Sequence, residues 1–192
     1  MRVFLLIAGL VYAIAVSAHA DDSDDGRLSD KILHGIETQT FALVNHERAS
    51  HDLPVLAWSD AVVREARGHS HEMASGDVDF GHDGFSERVD HLKLSLAGFR
   101  GAGENVLMTS DLHDVAQEAV TIWLHSPHHL RNILGDYNYS AVGVWQAKDG
   151  SLYFTQIFIK AETMSAKANP PAEQESNIVF GLLTPAQVRA RP

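Results

Sequence analysis

Stretches of helical and of strand periodicity alternate along the chain, and the changes of period mark its elements. Ile32, Ile36, Leu43 and Val44 return at roughly helical intervals, with an irregularity at Gly35. The spacing predicts a helix that ends near Ser50, because Pro54 in "HDLP" bars its continuation. "LPVLAW" then reads as a short extended connection. Ser59 before Asp60 is an N-cap pattern. Val62, Ala66, His69 and Met73 fall at i, i+4, i+7 and i+11 and form one face of the next helix. Gly76 is its stop. "DVDFGHDG" is a loop and "FSERVDHLKLSLAG" a short helix. Gly98, Gly101 and Gly103 read as breaks before "GENVL".

A further helix is expected from Ser110, with Asp111 in its first turn and Leu112, Val115, Ala119, Ile122 and Trp123 on its buried face. It must stop before Pro127, since a residue preceding proline avoids the helical region. "YSAVGVWQ" and "SLYFTQIFIK" have strand composition, and Asp149-Gly150 between them is a hairpin turn. After Lys160 the period is lost. Helices come first and strands last, which predicts an α+β fold rather than a doubly wound one.

Composition adds boundaries. Residues 1–20 carry Arg2, an apolar run from Val3 to Val16 and the exit Ala18-His19-Ala20, the pattern of a secretory signal peptide. Residues 21–30 form an acidic leader expected to be disordered, 31–160 the folded domain, and 161–192 a linker and C-terminal tail. The apolar run is too short for a comfortable membrane span, so no stable membrane insertion is expected after cleavage. There is no cysteine. Disulfides, zinc–thiolate sites and thiol catalysis are thereby excluded, and a core must hold the domain together. The net charge of −10 makes nucleic acid and anionic membranes poor partners.

The chemistry centres on "WLHSPHHLRNIL". Ser126 caps a new helix and Pro127 takes its first position, so His128 and His129 are the second and third helical residues. His125 precedes the cap on a different path, and the three do not form a local metal site. An imidazole at a helix N-terminus is disfavoured in its charged form, which suits a metal ligand or a carboxylate partner. The zinc-protease pattern is absent: "HEMAS" has Ser75 where a second histidine is needed, and "HERASH" places His51 off the required face. No serine nucleophile elbow or phosphate loop is present. His69, on the apolar face of its helix, reads as a satisfied core histidine. Asn138-Tyr139-Ser140 matches a glycosylation sequon.

"ALVNHERASHDLPVLAW", "REARGHSHEMASG", "FGH", "AGENV", "WLHSPHHLRNIL" and "VGVW…YFTQIF", taken in order over roughly Phe41 to Lys160, resemble the bacterial branch of the CAP superfamily, the SCP-domain or cysteine-rich secretory proteins. The resemblance implies an α–β–α sandwich, secretion to the periplasm or outside the cell, and a cleft lined by histidines and glutamate. Those residues fall on His82, Glu104 and His129. The second glutamate of many eukaryotic relatives falls on Ser126, so the site is a three-member one. Asn105 reads as a buttress rather than a ligand. Two imidazoles and a carboxylate suffice for zinc or another divalent cation with an open position. The implied function is a binding or interaction module for a small ligand, lipid or peptide. A metal-dependent hydrolase and a sterol or fatty-acid carrier are the alternatives, and no catalytic nucleophile is identified.

Overall fold

The computed structural model describes residues 27–162. The expected signal peptide, most of the acidic leader and all but the first two residues of the tail lie outside them. Nine elements are present among the described residues: α1 Asp30–Ser50, β1 Ala57–Trp58, α2 Asp60–Ser75, α3 Phe85–Ser95, β2 Gly101–Thr109, α4 Val115–His125, α5 Pro127–Ile133, β3 Tyr139–Gln146 and β4 Leu152–Lys160. The strands form one sheet in the order β1-β3-β4-β2. β4 pairs antiparallel with both neighbours, and the two-residue β1 runs parallel to β3.

Alternation along the strands sorts the core into two layers. Val142 and Val144 of β3 and Leu152, Phe154 and Phe158 of β4 meet Leu33, Ile36, Val44, Val120, Trp123 and Ile133 of α1, α4 and α5. Tyr139, Ala141, Ile157 and Ile159 face the other way, onto Val62, Val63, Ala66 and Leu92 of α2 and α3. The result is the expected α–β–α sandwich. Trp123 and Phe154 are fully buried and meet edge to face at 6.5 Å. Burying side chains of this size contributes roughly 2–3 kcal/mol each.

The local capping signals worked as read. Ser59 caps α2 through a bond from Val62 N–H, and Gly76 ends it in the left-handed conformation at φ 79°. The buried face of α2 includes Val62, Ala66, His69 and Met73, as the period predicts. Gly150 closes the β3–β4 hairpin at φ 92°. Other expectations fail. α1 starts at Asp30, capped by Ser29, and the Leu28 N–H donates to Gln146 Oε1 at 2.7 Å, so the last positions of the expected leader are structured. α1 runs through Gly35 without a break. α4 starts at Val115 rather than Ser110, because Asp111 instead closes a local turn by accepting the His113 N–H at 2.9 Å. Ile122 is exposed, and the buried face of α4 is Val115, Ala116, Ala119, Val120 and Trp123.

The largest departure is β2, a nine-residue strand where glycines suggested breaks. Gly103 is required there by a close approach: a Cβ would lie 2.7 Å from the Tyr137 hydroxyl and 2.9 Å from Asn132 Oδ1. β2 is an edge strand, and α4 and α5 cover it. Trp123 Nε1 donates to Val106 O at 3.3 Å and Asn132 Nδ2 to Glu104 O at 3.0 Å. Carbonyls that would otherwise invite another strand are thereby occupied. Arg48, 1% exposed, locks the far end of α5. Its guanidinium donates to the carbonyls of Pro54, Ile133, Gly135 and Tyr137.

Candidate functional site

The site lies over β2, and three separate elements supply it. His82 comes from the loop between α2 and α3, Glu104 from β2, and His129 from the first turn of α5. His82 Nδ1 lies 2.9 Å from Glu104 Oε1. The Glu104 side chain is 1% exposed and that of His82 is 53% exposed, so the carboxylate is buried beneath a ring that reaches solvent. Arg88 of α3 grips the same carboxylate in a fork, with Nε 3.0 Å from Oε2 and NH2 2.9 and 2.7 Å from Oε1 and Oε2. A carboxylate this deeply buried requires such a partner.

With Glu104 ionised against Arg88, His82 Nδ1 carries the proton of the Glu104 bond, and Nε2 is left with its lone pair outward. In His129 burial singles out the same nitrogen. Its Nδ1 is buried without a hydrogen-bond partner, so Nε2 is its usable atom. Burial, aided by the charges of His82 and His128, lowers its pKa below the ordinary histidine value. A neutral ring next to His82 is the form that binds a cation. Asn105 Nδ2 donates to His129 O at 3.2 Å and Asn132 Nδ2 to Asn105 Oδ1 at 2.8 Å, so β2 and α5 are held in fixed relation.

Among the described residues no group of three or more histidine, cysteine, aspartate or glutamate side chains is arranged to hold a metal ion. Both oxygens of Glu104 are engaged by Arg88, and Oε1 also by His82.

The other conspicuous histidines have local employment. His125 Nδ1 donates to Thr121 O at 2.8 Å on its own helix, and His128 is exposed. His51 pairs with Glu47 at the surface at 3.0 Å. Both side-chain ends of Asn138 bond Ala161, which commits the amide of the sequon to joining β3 and β4. Sequence reasoning missed Arg88, although an arginine four positions before Leu92, on the buried face of an amphipathic helix, was a signal. It also missed a second arrangement of the same kind. Glu37, fully buried, is gripped by Arg67, accepts the Val144 N–H at 3.1 Å and lies 3.2 Å from half-exposed His34. A buried Glu–Arg pair beneath a histidine is therefore not what sets the first site apart; the second imidazole, His129, is.

Two surface grooves lie elsewhere. One, of about 290 Å³, is lined by residues of α4 and the turn before it, and one of about 320 Å³ lies between α1 and α4. Neither touches His82 or His129, and the side-chain geometry is the better guide to the chemistry.

The model of the cysteine-rich secretory protein family, CAP, matches residues 41–158. Among solved structures, an extracellular SCP-domain protein from Bacillus anthracis is 33% identical at a TM-score of 0.55, over 69% of this chain and 44% of that one. An outer surface protein from Borrelia burgdorferi is 17% identical over 71% of this chain and 98% of that one, at a TM-score of 0.57. The CAP domain of enterococcal PrgA is 19% identical over 77% and 70%, at 0.55. The last two show likeness of fold alone. No curated protein matches the chain.

Proposed function

The chain belongs to the cysteine-rich secretory protein (CAP) family, and on that premise we propose that it is a secreted binding module whose cleft takes a divalent cation together with a small ligand or peptide. Two imidazoles, His82 and His129, close enough for the charge of one to lower the pKa of the other, carry the reading. Nδ1 of His82 is tied to Glu104 and Nδ1 of His129 is buried, which leaves Nε2 of each as the nitrogen open to a cation. Glu104 acts behind His82, fixing its tautomer and orientation, as carboxylates behind metal-bound histidines do. Bound there, a divalent cation supplies an electron-pair acceptor for an oxygen or nitrogen of the ligand. Two protein ligands are fewer than a closed structural zinc site has, so the ligand or water completes the shell.

The hydrolase alternative needs Glu104 as base or metal ligand, and Arg88 occupies both of its oxygens. The lipid-carrier alternative needs an enclosed apolar space, whereas the two grooves along α4 are open at the surface and both carry Asp114 and Gln117. Secretion is supported by the family and by the extracellular SCP-domain relative from Bacillus anthracis, and among the described residues no helix is long and apolar enough to cross a membrane.

Calorimetric titration with zinc tests the reading on protein purified without chelator or affinity tag. His82→Ala and His129→Ala should each weaken binding and the double variant should abolish it, while His128→Ala leaves it near wild type. Unchanged affinity in the double variant defeats the proposal. A loss in His128→Ala equal to that in His129→Ala assigns the site to the wrong ring.

A further inference from the structure

We propose that His69 is a positioning residue for His82: from the buried face of α2 it fixes the peptide that precedes His82 and so aims that imidazole at Glu104. The inference rests on the cleft reading above for its functional meaning, but its geometry stands independently. His69 Nε2 lies 2.9 Å from Gly81 O. A carbonyl only accepts, so Nε2 carries the proton and Nδ1 is the bare nitrogen. Nδ1 is buried with no hydrogen-bond partner. The nearest carboxylate oxygen, Oε2 of Glu72, is 3.6 Å away, beyond hydrogen-bond reach.

A core position filled only for packing would be served better by leucine or methionine, which leave no polar atom unsatisfied. His69 has a fully buried side chain with one nitrogen idle, and the bond to Gly81 is what the imidazole provides. That bond falls where the chain has no helix or strand to direct it. Between α2 and α3 three consecutive carbonyls are held: Gly81 O by His69, His82 O by the Phe85 N–H at 3.1 Å, and Asp83 O by Arg88 at 2.8 Å. The last two bonds come from α3, on the C-terminal side of His82. The bond from His69 fixes the N-terminal side and ties it to the rigid helix packed on the sheet. Phe80 also meets Tyr153 edge to face at 6.3 Å, but a ring contact does not set the plane of the next peptide. An exposed loop histidine is held from both flanks in this way, as binding sites require of their supporting residues.

The test reads the His82 ring directly, by 15N NMR of histidine side chains in the full chain. In wild type, His82 should be the Nδ1–H tautomer, and a scalar coupling should connect His69 15Nε2 to the Gly81 carbonyl carbon. His69→Leu removes the donor; His69→Gln carries an amide N–H of similar reach. The expected result is a mixed tautomer signal for His82 in His69→Leu and recovery of the single tautomer in His69→Gln, with zinc affinity falling about tenfold in the first and less in the second. An unchanged His82 tautomer in His69→Leu, or a His69→Gln variant no better than His69→Leu, overturns the proposal. Should His69→Leu not fold, absence of the wild-type coupling overturns it instead. Wild-type protein that binds no zinc defeats the cation reading and leaves the tautomer measurements to decide His69 on their own.

Discussion

Replacing Arg88 by methionine isolates the energetics of the cleft. The substitution keeps an unbranched stem up to the level of Nε and removes the fork that neutralises Glu104. Both partners are buried, with side-chain exposures of 7% for Arg88 and 1% for Glu104. Three close nitrogen–oxygen contacts are lost at once, and Asp83 O loses its donor. Breaking a buried pair by removing one partner costs about 3–5 kcal/mol, because a charge is left uncompensated. The orphaned carbonyl adds about 1 kcal/mol. Against a total stability of roughly 5–15 kcal/mol for a domain, Arg88→Met should leave the protein marginally folded. Glu104→Gln in the same background removes the stranded charge, so the double variant should be more stable than Arg88→Met alone by about 1–3 kcal/mol. Urea denaturation followed by circular dichroism measures all three variants. Arg88→Met within about 1 kcal/mol of wild type, or a double variant less stable than the single one, refutes the argument.

Three further outcomes are expected. Burial lowers the pKa of His129 in the folded protein, so the unfolded chain binds its proton first: stability should decline as pH falls below about 6.5, the unfolded value, and His129→Gln should flatten that decline in urea melts at pH 5 to 7. Gly143→Ala should cost at least about 2 kcal/mol, since the new Cβ would lie 2.2 Å from Arg67 N on the backbone of α2; thermal melting within error of wild type would contradict the close approach of α2 to β3. Arg48→Met removes a donor from the carbonyls of Pro54, Ile133, Gly135 and Tyr137, of which Gly135 O keeps the Tyr137 N–H, and should cost at least about 3 kcal/mol, with faster amide exchange in α5 as its local signature.

Periodicity and punctuation by themselves determined most of the helical layer. α2 is bounded by Ser59 and Gly76, and its face follows from spacing, because capping and amphipathicity act within a few residues. The β3–β4 hairpin was legible for the same reason, its turn chemistry lying between two strand-like runs. β2 was not. Its first residues, Gly-Ala-Gly, lack strand propensity, and the strand exists because β4 pairs with it and because Gly103 admits Tyr137 and Asn132. The start of α4 was misplaced because the side chain of Asp111 accepts the backbone N–H of His113, a local competitor with the helix that composition does not reveal.

The candidate site divides along the same line. Family resemblance in the sequence singled out His82, Glu104 and His129, but a loop, an edge strand and a helix N-terminus carry no common spacing. Only tertiary structure decided what each can do. It buried Glu104 against Arg88, turned His82 outward from it, and buried one nitrogen of His129 while leaving His128 in solvent. Local rules encode where helices begin and end. Which nitrogen of an imidazole is available, and whether a carboxylate is free to bind, depend on desolvation and on partners brought in from elsewhere in the chain.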